Sequence, residues 1–132
     1  MKILLDTDAY SAFMRGHADV VARVRQVERV FLSAVVVGEL LFGFRVGSRY
    51  ARNARLLDAF LDSPYVDLLP VTRTTADRFG RVAAALRAKG TPIPTNDMWI
   101  AAHAMEAGAE LLSFDEHYRH VDGVAWVKPG EA

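Results

Sequence analysis

Lys2-Ile3-Leu4-Leu5-Asp6 decides how the rest of the chain is read. Three consecutive large aliphatic residues leave no polar face, so the segment reads as a strand covered on both sides, as in a parallel sheet. A carboxylate ends it. Working outward, Val30-Phe31-Leu32-Ser33, Val66-Asp67-Leu68-Leu69-Pro70-Val71 and Glu110-Leu111-Leu112-Ser113-Phe114 repeat the pattern, and residues 123–127 fit an edge strand. The segments between them have helical spacing. Residues 19–29 place Val20, Val24 and Val27 on one face, and Ser33 suits the N-cap of a helix running to about Phe44. Residues 50–62 carry Leu56, Leu57, Phe60 and Leu61 on a stripe. Residues 75–89 align Phe79, Val82 and Leu86 and stop at Gly90; residues 96–107 stop in the same way at Gly108. Strands alternating with helices imply an α/β fold, a mainly parallel β-sheet of about five strands flanked by helices. The expectation is one domain over residues 1–132.

Composition narrows the class. With 52% hydrophobic and 24% charged residues the chain has material for a core and is not of disordered type. It has no cysteine, which excludes disulfides and thiolate metal sites. Residues 1–5 are too short for a secretory signal core. The longest apolar stretch, residues 34–44, is interrupted by Glu39 and falls short of the roughly 20 residues that span a bilayer. The expectation is therefore a soluble cytoplasmic protein with no membrane partner. Sixteen basic residues balance sixteen acidic ones, so there is no basic excess to announce nucleic acid. The basic set is skewed instead: Lys2, Lys89 and Lys128 are the lysines, and the rest are arginines. Arginine suits phosphate through bidentate hydrogen bonds, although a compositional bias explains the skew equally well.

Four carboxylates stand where burial makes a charge expensive. Asp6 ends the first strand, and Asp115 follows Leu111-Leu112-Ser113-Phe114. Glu39 divides Val35-Val36-Val37-Gly38 from Leu40-Leu41-Phe42, and Asp97 opens Met98-Trp99-Ile100-Ala101-Ala102. Each has a plain structural reading: Asp6 and Asp115 as helix caps, Asp97 as an acid favoured by a helix N-terminus, Glu39 as half of an ion pair. Together they favour a site. In an open α/β sheet ligands bind at the carboxyl edge, where two of the four stand. Four converging carboxylates repel one another, and a hard divalent cation such as Mg²⁺ or Mn²⁺ relieves that repulsion.

Ile3-Leu4-Leu5-Asp6-Thr7, Glu39-Leu40 with Gly43, Asn96-Asp97-Met98-Trp99-Ile100-Ala101-Ala102 and Leu112-Ser113-Phe114-Asp115 together resemble the four signatures of the PIN domain. Over essentially its whole length the chain resembles the VapC toxins of bacterial toxin–antitoxin pairs. The resemblance implies a PIN-like fold, a Mg²⁺- or Mn²⁺-dependent endoribonuclease, a homodimer and inhibition by a small antitoxin. It gives Asp6, Glu39, Asp97 and Asp115 the catalytic and metal-binding roles, with Asp6 and Asp97 closest to the metal. Thr7 and Ser113 match accessory positions where a hydroxyl orients a carboxylate or water. Asp8 stands where family members often carry asparagine, which leaves its role and the metal count open.

Arg45, Arg49, Arg52 and Arg55 form a basic series that suits RNA phosphates or a merely solvated face. His103 should lie away from Asp97 on the same helix. His117 and His120 read as loop residues, with His117 bordering the cleft. Trp99 is expected in packing, or stacked on a base. Leu40-Leu41-Phe42 with Phe44, and Leu56-Leu57 with Phe60-Leu61, exceed what a small domain buries, which favours a homodimer and a groove for a helical antitoxin segment. Two rival functions remain open. A haloacid-dehalogenase-like phosphatase would use Asp6 and Asp8, and needs a lysine in the site. A PIN-like module that binds RNA without cutting it would not need the four acids.

Overall fold

The computed structural model describes residues 1–130. Strands β1 (Lys2–Leu5), β2 (Arg29–Ser33), β3 (Val66–Leu69), β4 (Glu110–Leu112) and β5 (Trp126–Val127) pair in the order β3-β2-β1-β4-β5, and every pairing is parallel. The sheet is therefore wholly parallel, with the five strands expected. Leu4 pairs with Phe31 on one side and Leu111 on the other, which puts the chain's first strand at the sheet's centre. Ile3, Leu4, Leu5, Leu32, Leu111 and Leu112 are completely buried, as continuous apolar strands covered by helices on both faces must be.

Helices α1 (Thr7–Met14), α2 (Ala18–Gln26), α3 (Ala34–Val46), α4 (Tyr50–Leu61), α5 (Arg73–Lys89) and α6 (Thr95–Ala107) fill the connections. Ser33 caps α3 as expected, its Oγ accepting from the Val35 N–H at 3.0 Å. Gly90 and Gly108 close α5 and α6 with φ of 70° and 64°, a left-handed turn that favours glycine. Helix α5 begins two residues earlier than the apolar spacing suggests, because Thr72 and Thr75 form a reciprocal capping box.

Several local expectations need correction, among them the strands expected over 66–71 and 123–127, which span only Val66–Leu69 and Trp126–Val127. The helix expected over 19–29 ends at Gln26; Val27 is extended, and Arg29 joins β2 beside Lys2 and pairs with Asp67. The strand expected to reach Phe114 stops at Leu112, where Ser113 Oγ accepts from the Asp115 N–H and turns the chain. Helix α1 follows Asp6, which caps it as the plain structural reading of that residue has it, although the sequence alone assigns no helix bounds there. Residues expected as loop after Asp115 form a 3-10 turn, Glu116–His120, capped by Asp115. The α4 stripe is also divided: Leu57 is buried while Leu56 is exposed.

This strand order positions the site. From β1 the chain builds outward through β2 and β3, then returns to the other side of β1 with β4. The order thus reverses between β1 and β4, and ligands of open α/β sheets bind beyond the carboxyl ends of such neighbours. Asp6 follows β1, and Ser113 with Asp115 follow β4. No described helix is long and apolar enough to cross a membrane.

Candidate active site

The carboxyl edge opens into a pocket of about 560 Å³. Asp6, Glu39, Asp97 and Asp115 all line it, with Thr7, Asp8 and His117. Residues distant in sequence thus meet: one from the end of β1, one from the middle of α3, one from the first turn of α6, and one from the turn after β4. No lysine or arginine is among the lining residues.

Each carboxylate is held by neighbours. Asp6, the one that is buried, accepts from the Ala9 N–H at 2.9 Å through Oδ1 and from the Ser113 hydroxyl through Oδ2. Burial pushes its pKa up to about 6; the bonds from Ser113 and Ala9 act against this, and the charges of Asp8 and Asp97 add to it. Glu39 is not buried among its apolar sequence neighbours. It is half-buried at the pocket wall, where Thr7 Oγ1 donates to its Oε1 at 2.6 Å and Asn96 Nδ2 to its Oε2 at 3.2 Å. A helix with apolar residues all round can still turn one position toward a cleft.

Asp97 accepts from the Tyr118 hydroxyl at 3.3 Å through Oδ1, and its Oδ2 lies 3.1 Å from His117 Nδ1. Burial raises the Asp97 pKa, with the Asp115 charge adding and His117 and Tyr118 opposing. Asp115 Oδ1 accepts the His117 N–H at 2.9 Å and lies 2.9 Å from the imidazole. The bond to Asp97 raises the His117 pKa, and the charge of Asp115 adds to that. Tyr118 is buried, and its pKa is driven upward first by that burial and then by the charges of Asp97, Asp6 and Asp115. Its hydroxyl therefore stays a donor. Among the described residues, Asp97, Asp115 and His117 offer three ligand atoms all within 4.8 Å of one another. Asp6 and Glu39 line the same pocket outside that tightest group.

Thr7 and Ser113 each donate a hydroxyl to one of these carboxylates, Thr7 to Glu39 and Ser113 to Asp6. Asp8 is exposed at the pocket rim. His117 borders the cleft as expected, whereas Asn96 and Tyr118 are contacts that the sequence does not single out. Asn96 stands beside Asp97 in the third signature, whereas Tyr118 carried no signal without the 3-10 turn that aims it. His103 is completely buried away from the pocket, between Ser33 Oγ at 2.7 Å and the Pro70 carbonyl at 3.0 Å. Trp99 stacks on Phe79, ring centroids 4.0 Å apart, so packing accounts for it.

Arg45, Arg49 and Arg52 do not line the pocket. Arg45 lies over the Tyr50 ring, 4.2 Å from its centroid, and donates to the Tyr50 hydroxyl. Arg49 precedes α4 and Arg52 lies in its first turn; both are exposed. A phosphatase of the haloacid-dehalogenase kind needs a downstream lysine, but Lys89 is bonded to the His120 carbonyl and Asp122, and Lys128 to Glu116. The pocket therefore lacks the cation which that chemistry requires.

The description "PIN domain" belongs to the family model that matches residues 3–124. Ribonuclease VapC2 of Haemophilus influenzae is 30% identical over 115 residues, 86% of each chain. Ribonuclease VapC1 of the same species is 26% identical over 131 residues, 96% of each chain. Among solved structures, VapBC2 from Rickettsia felis, bound to a promoter DNA fragment, superposes with a TM-score of 0.86. That match covers 98% of this chain and 99% of the other at 20% identity, and it bears on the fold alone.

Proposed function

This chain belongs to the PIN-domain family, among the VapC ribonucleases, and on that premise we propose that it cleaves RNA internally as the toxin of a type II toxin–antitoxin pair, with Mg²⁺ or Mn²⁺ held by Asp6, Glu39, Asp97 and Asp115. The observation that carries this reading is that the carboxylates of residues 6, 39, 97 and 115 line one pocket with no lysine or arginine to offset them. The donor set is oxygen-rich and anionic, which fits a hard divalent cation. A non-catalytic RNA-binding module would have no use for four charges that repel one another and the phosphate.

When bound, the cation neutralises phosphate oxygens and lowers the pKa of a bound water. The protein's own groups do the positioning. Ser113 and the Ala9 N–H fix Asp6, Thr7 and Asn96 fix Glu39, and Tyr118 fixes Asp97. Such outer partners orient the binding carboxylates and are commonly worth 10- to 100-fold in affinity or activity. Single-stranded RNA is the substrate we assign, since its phosphates and splayed bases are accessible without unwinding.

For partners, we assign a homodimer and a cognate antitoxin. Phe42 and Val46, one turn apart on α3, are 72% and 73% exposed, a cost that a second copy relieves. An apolar groove of about 650 Å³, lined by Phe13, Val24, Val27, Phe60 and Tyr65, suits an amphipathic helical segment.

The test is cleavage of a single-stranded RNA by the purified chain with Mg²⁺, with Mn²⁺ and with chelator. Cleavage that stops in chelator and in Asp97→Asn is expected. Cleavage that survives both overturns the reading.

A further inference from the structure

We propose that His117 is itself a metal ligand, its Nδ1 joining Asp97 and Asp115 around the cation and giving the site a preference for Mn²⁺ over Mg²⁺. The proposal rests on the reading that this pocket holds a divalent cation. His117 stands in the 3-10 turn, and its own N–H already satisfies Asp115 Oδ1. Tyr118 already donates to Asp97. Both carboxylates are thus oriented without the imidazole, which is half exposed. Its Nδ1 nonetheless sits between them, 3.1 Å from Asp97 Oδ2 and 2.9 Å from Asp115 Oδ1. Neighbouring ligands of a six-coordinate ion with bonds of about 2.1 Å lie about 3.0 Å apart, and both distances match that edge. The three donor atoms fall within 4.8 Å of one another and all face the one pocket.

Nitrogen among the donors changes selectivity. Carboxylate, carbonyl and water suit Mg²⁺ and Mn²⁺ alike, whereas imidazole suits transition metals, and of these two ions only Mn²⁺ belongs to that series, at its weak-binding end. A site of oxygens alone discriminates less between the two ions. In the rival arrangement His117 only hydrogen-bonds to the carboxylates and stays outside the coordination shell. The two differ in whether nitrogen touches the metal.

Pulsed EPR of the Mn²⁺-loaded full chain reads this directly, through the ¹⁴N coupling of a coordinated imidazole. Wild type should show the coupling, and His117→Ala and His117→Gln should lack it, with folding of each variant verified by its melting transition. Both variants should lose about tenfold or more in Mn²⁺ affinity, the scale on which even outer-shell partners act, while Mg²⁺ affinity changes by less than about threefold. Bound Mn²⁺ without nitrogen coupling, or equal losses for both ions, overturns the proposal and leaves the carboxylate site standing. A chain that binds no Mn²⁺ at all overturns the carboxylate site and this proposal with it.

Discussion

Thr7 Oγ1 donates to Glu39 Oε1 at 2.6 Å, so the residue after the first strand's carboxylate anchors the carboxylate of α3. The contact ties the start of α1 to the middle of α3 across the pocket mouth. Thr7→Val keeps the shape and removes the donor. Cleavage should fall about 10- to 100-fold, the usual cost of losing such a partner. Thr7→Ser should restore most of it. Equal rates for Thr7→Val and wild type would show that Glu39 needs no anchor.

His103 makes the opposite kind of prediction. Its Nε2 faces the Pro70 carbonyl, which only accepts, so that nitrogen carries the proton and Nδ1 accepts from Ser33. The ring thereby joins α6 to the N-cap of α3 and to the segment after β3. His103→Leu leaves buried groups unpaired at about 1–3 kcal/mol each. Chemical denaturation should report that loss, while metal affinity, measured where the variant is still folded, stays near wild type. A change in metal affinity with no loss of stability would assign His103 to the site.

Much of this was legible in the sequence, for reasons that can be named. Ile3-Leu4-Leu5 and Leu111-Leu112 revealed buried parallel strands because burial on both faces removes the polar alternation. Asp6, Glu39, Asp97 and Asp115 stood out because each interrupts apolar sequence. That all four line one pocket depends on a strand order that periodicity does not encode. The bounds of helix α1 go unassigned in the sequence because it is only eight residues long and the cap that starts it is itself a site residue. Its signal was present in Ala9, Tyr10 and Ala12, all buried at helical spacing. Tyr118 was invisible because a five-residue 3-10 turn, set by Asp115 as its cap, decides where that hydroxyl points.

Asp6 gives the metal-free protein a pH dependence. A carboxyl raised by burial from 3.8 to about 6 binds its proton more tightly when folded. Stability is then greatest below about pH 4 for this group and falls as pH rises to about 6, by about 3 kcal/mol for a shift of this size. Asp97 and His117 are also shifted upward and act in the same direction. Denaturant melts in chelator from pH 4.5 to 7.5 should show the decline, and Asp6→Asn should flatten it. Stability that rises over this range in the wild type would mean that Asp6 is stabilised as its anion.

Arg49 and Arg52 lie outside the pocket, so their effect should appear in binding and not in chemistry. Removing one arginine from a phosphate should reduce the slope of log affinity against log salt by about 0.7 on single strands. Arg49→Gln and Arg52→Gln should weaken RNA binding in this way, measured on a cleavage-dead background. Arg45 is held by Tyr50 and should matter less. Unchanged slopes in both variants would identify the arginines as solvated surface.

Asp97 separates a metal site from an ordinary structural carboxylate, because the two make opposite predictions. Its charge sits partly buried beside Asp115, which raises its pKa, and Tyr118 and His117 only partly offset this. Asp97→Asn removes the charge but keeps an oxygen to accept from Tyr118, so metal-free stability should stay equal or rise. Cleavage should be abolished. Wild type should gain about 2.7 kcal/mol when Mn²⁺ reaches a hundredfold excess over its dissociation constant, and the variant much less. A structural cap or buried pair behaves otherwise, since its loss costs roughly 0.5 to several kcal/mol with or without metal. Thermal melts of both proteins, with and without Mn²⁺ and beside a chelator-controlled RNase assay, decide between them. If Asp97→Asn melts lower without metal yet keeps cleavage and the full Mn²⁺ response, these carboxylates are scaffolding and the ion binds elsewhere.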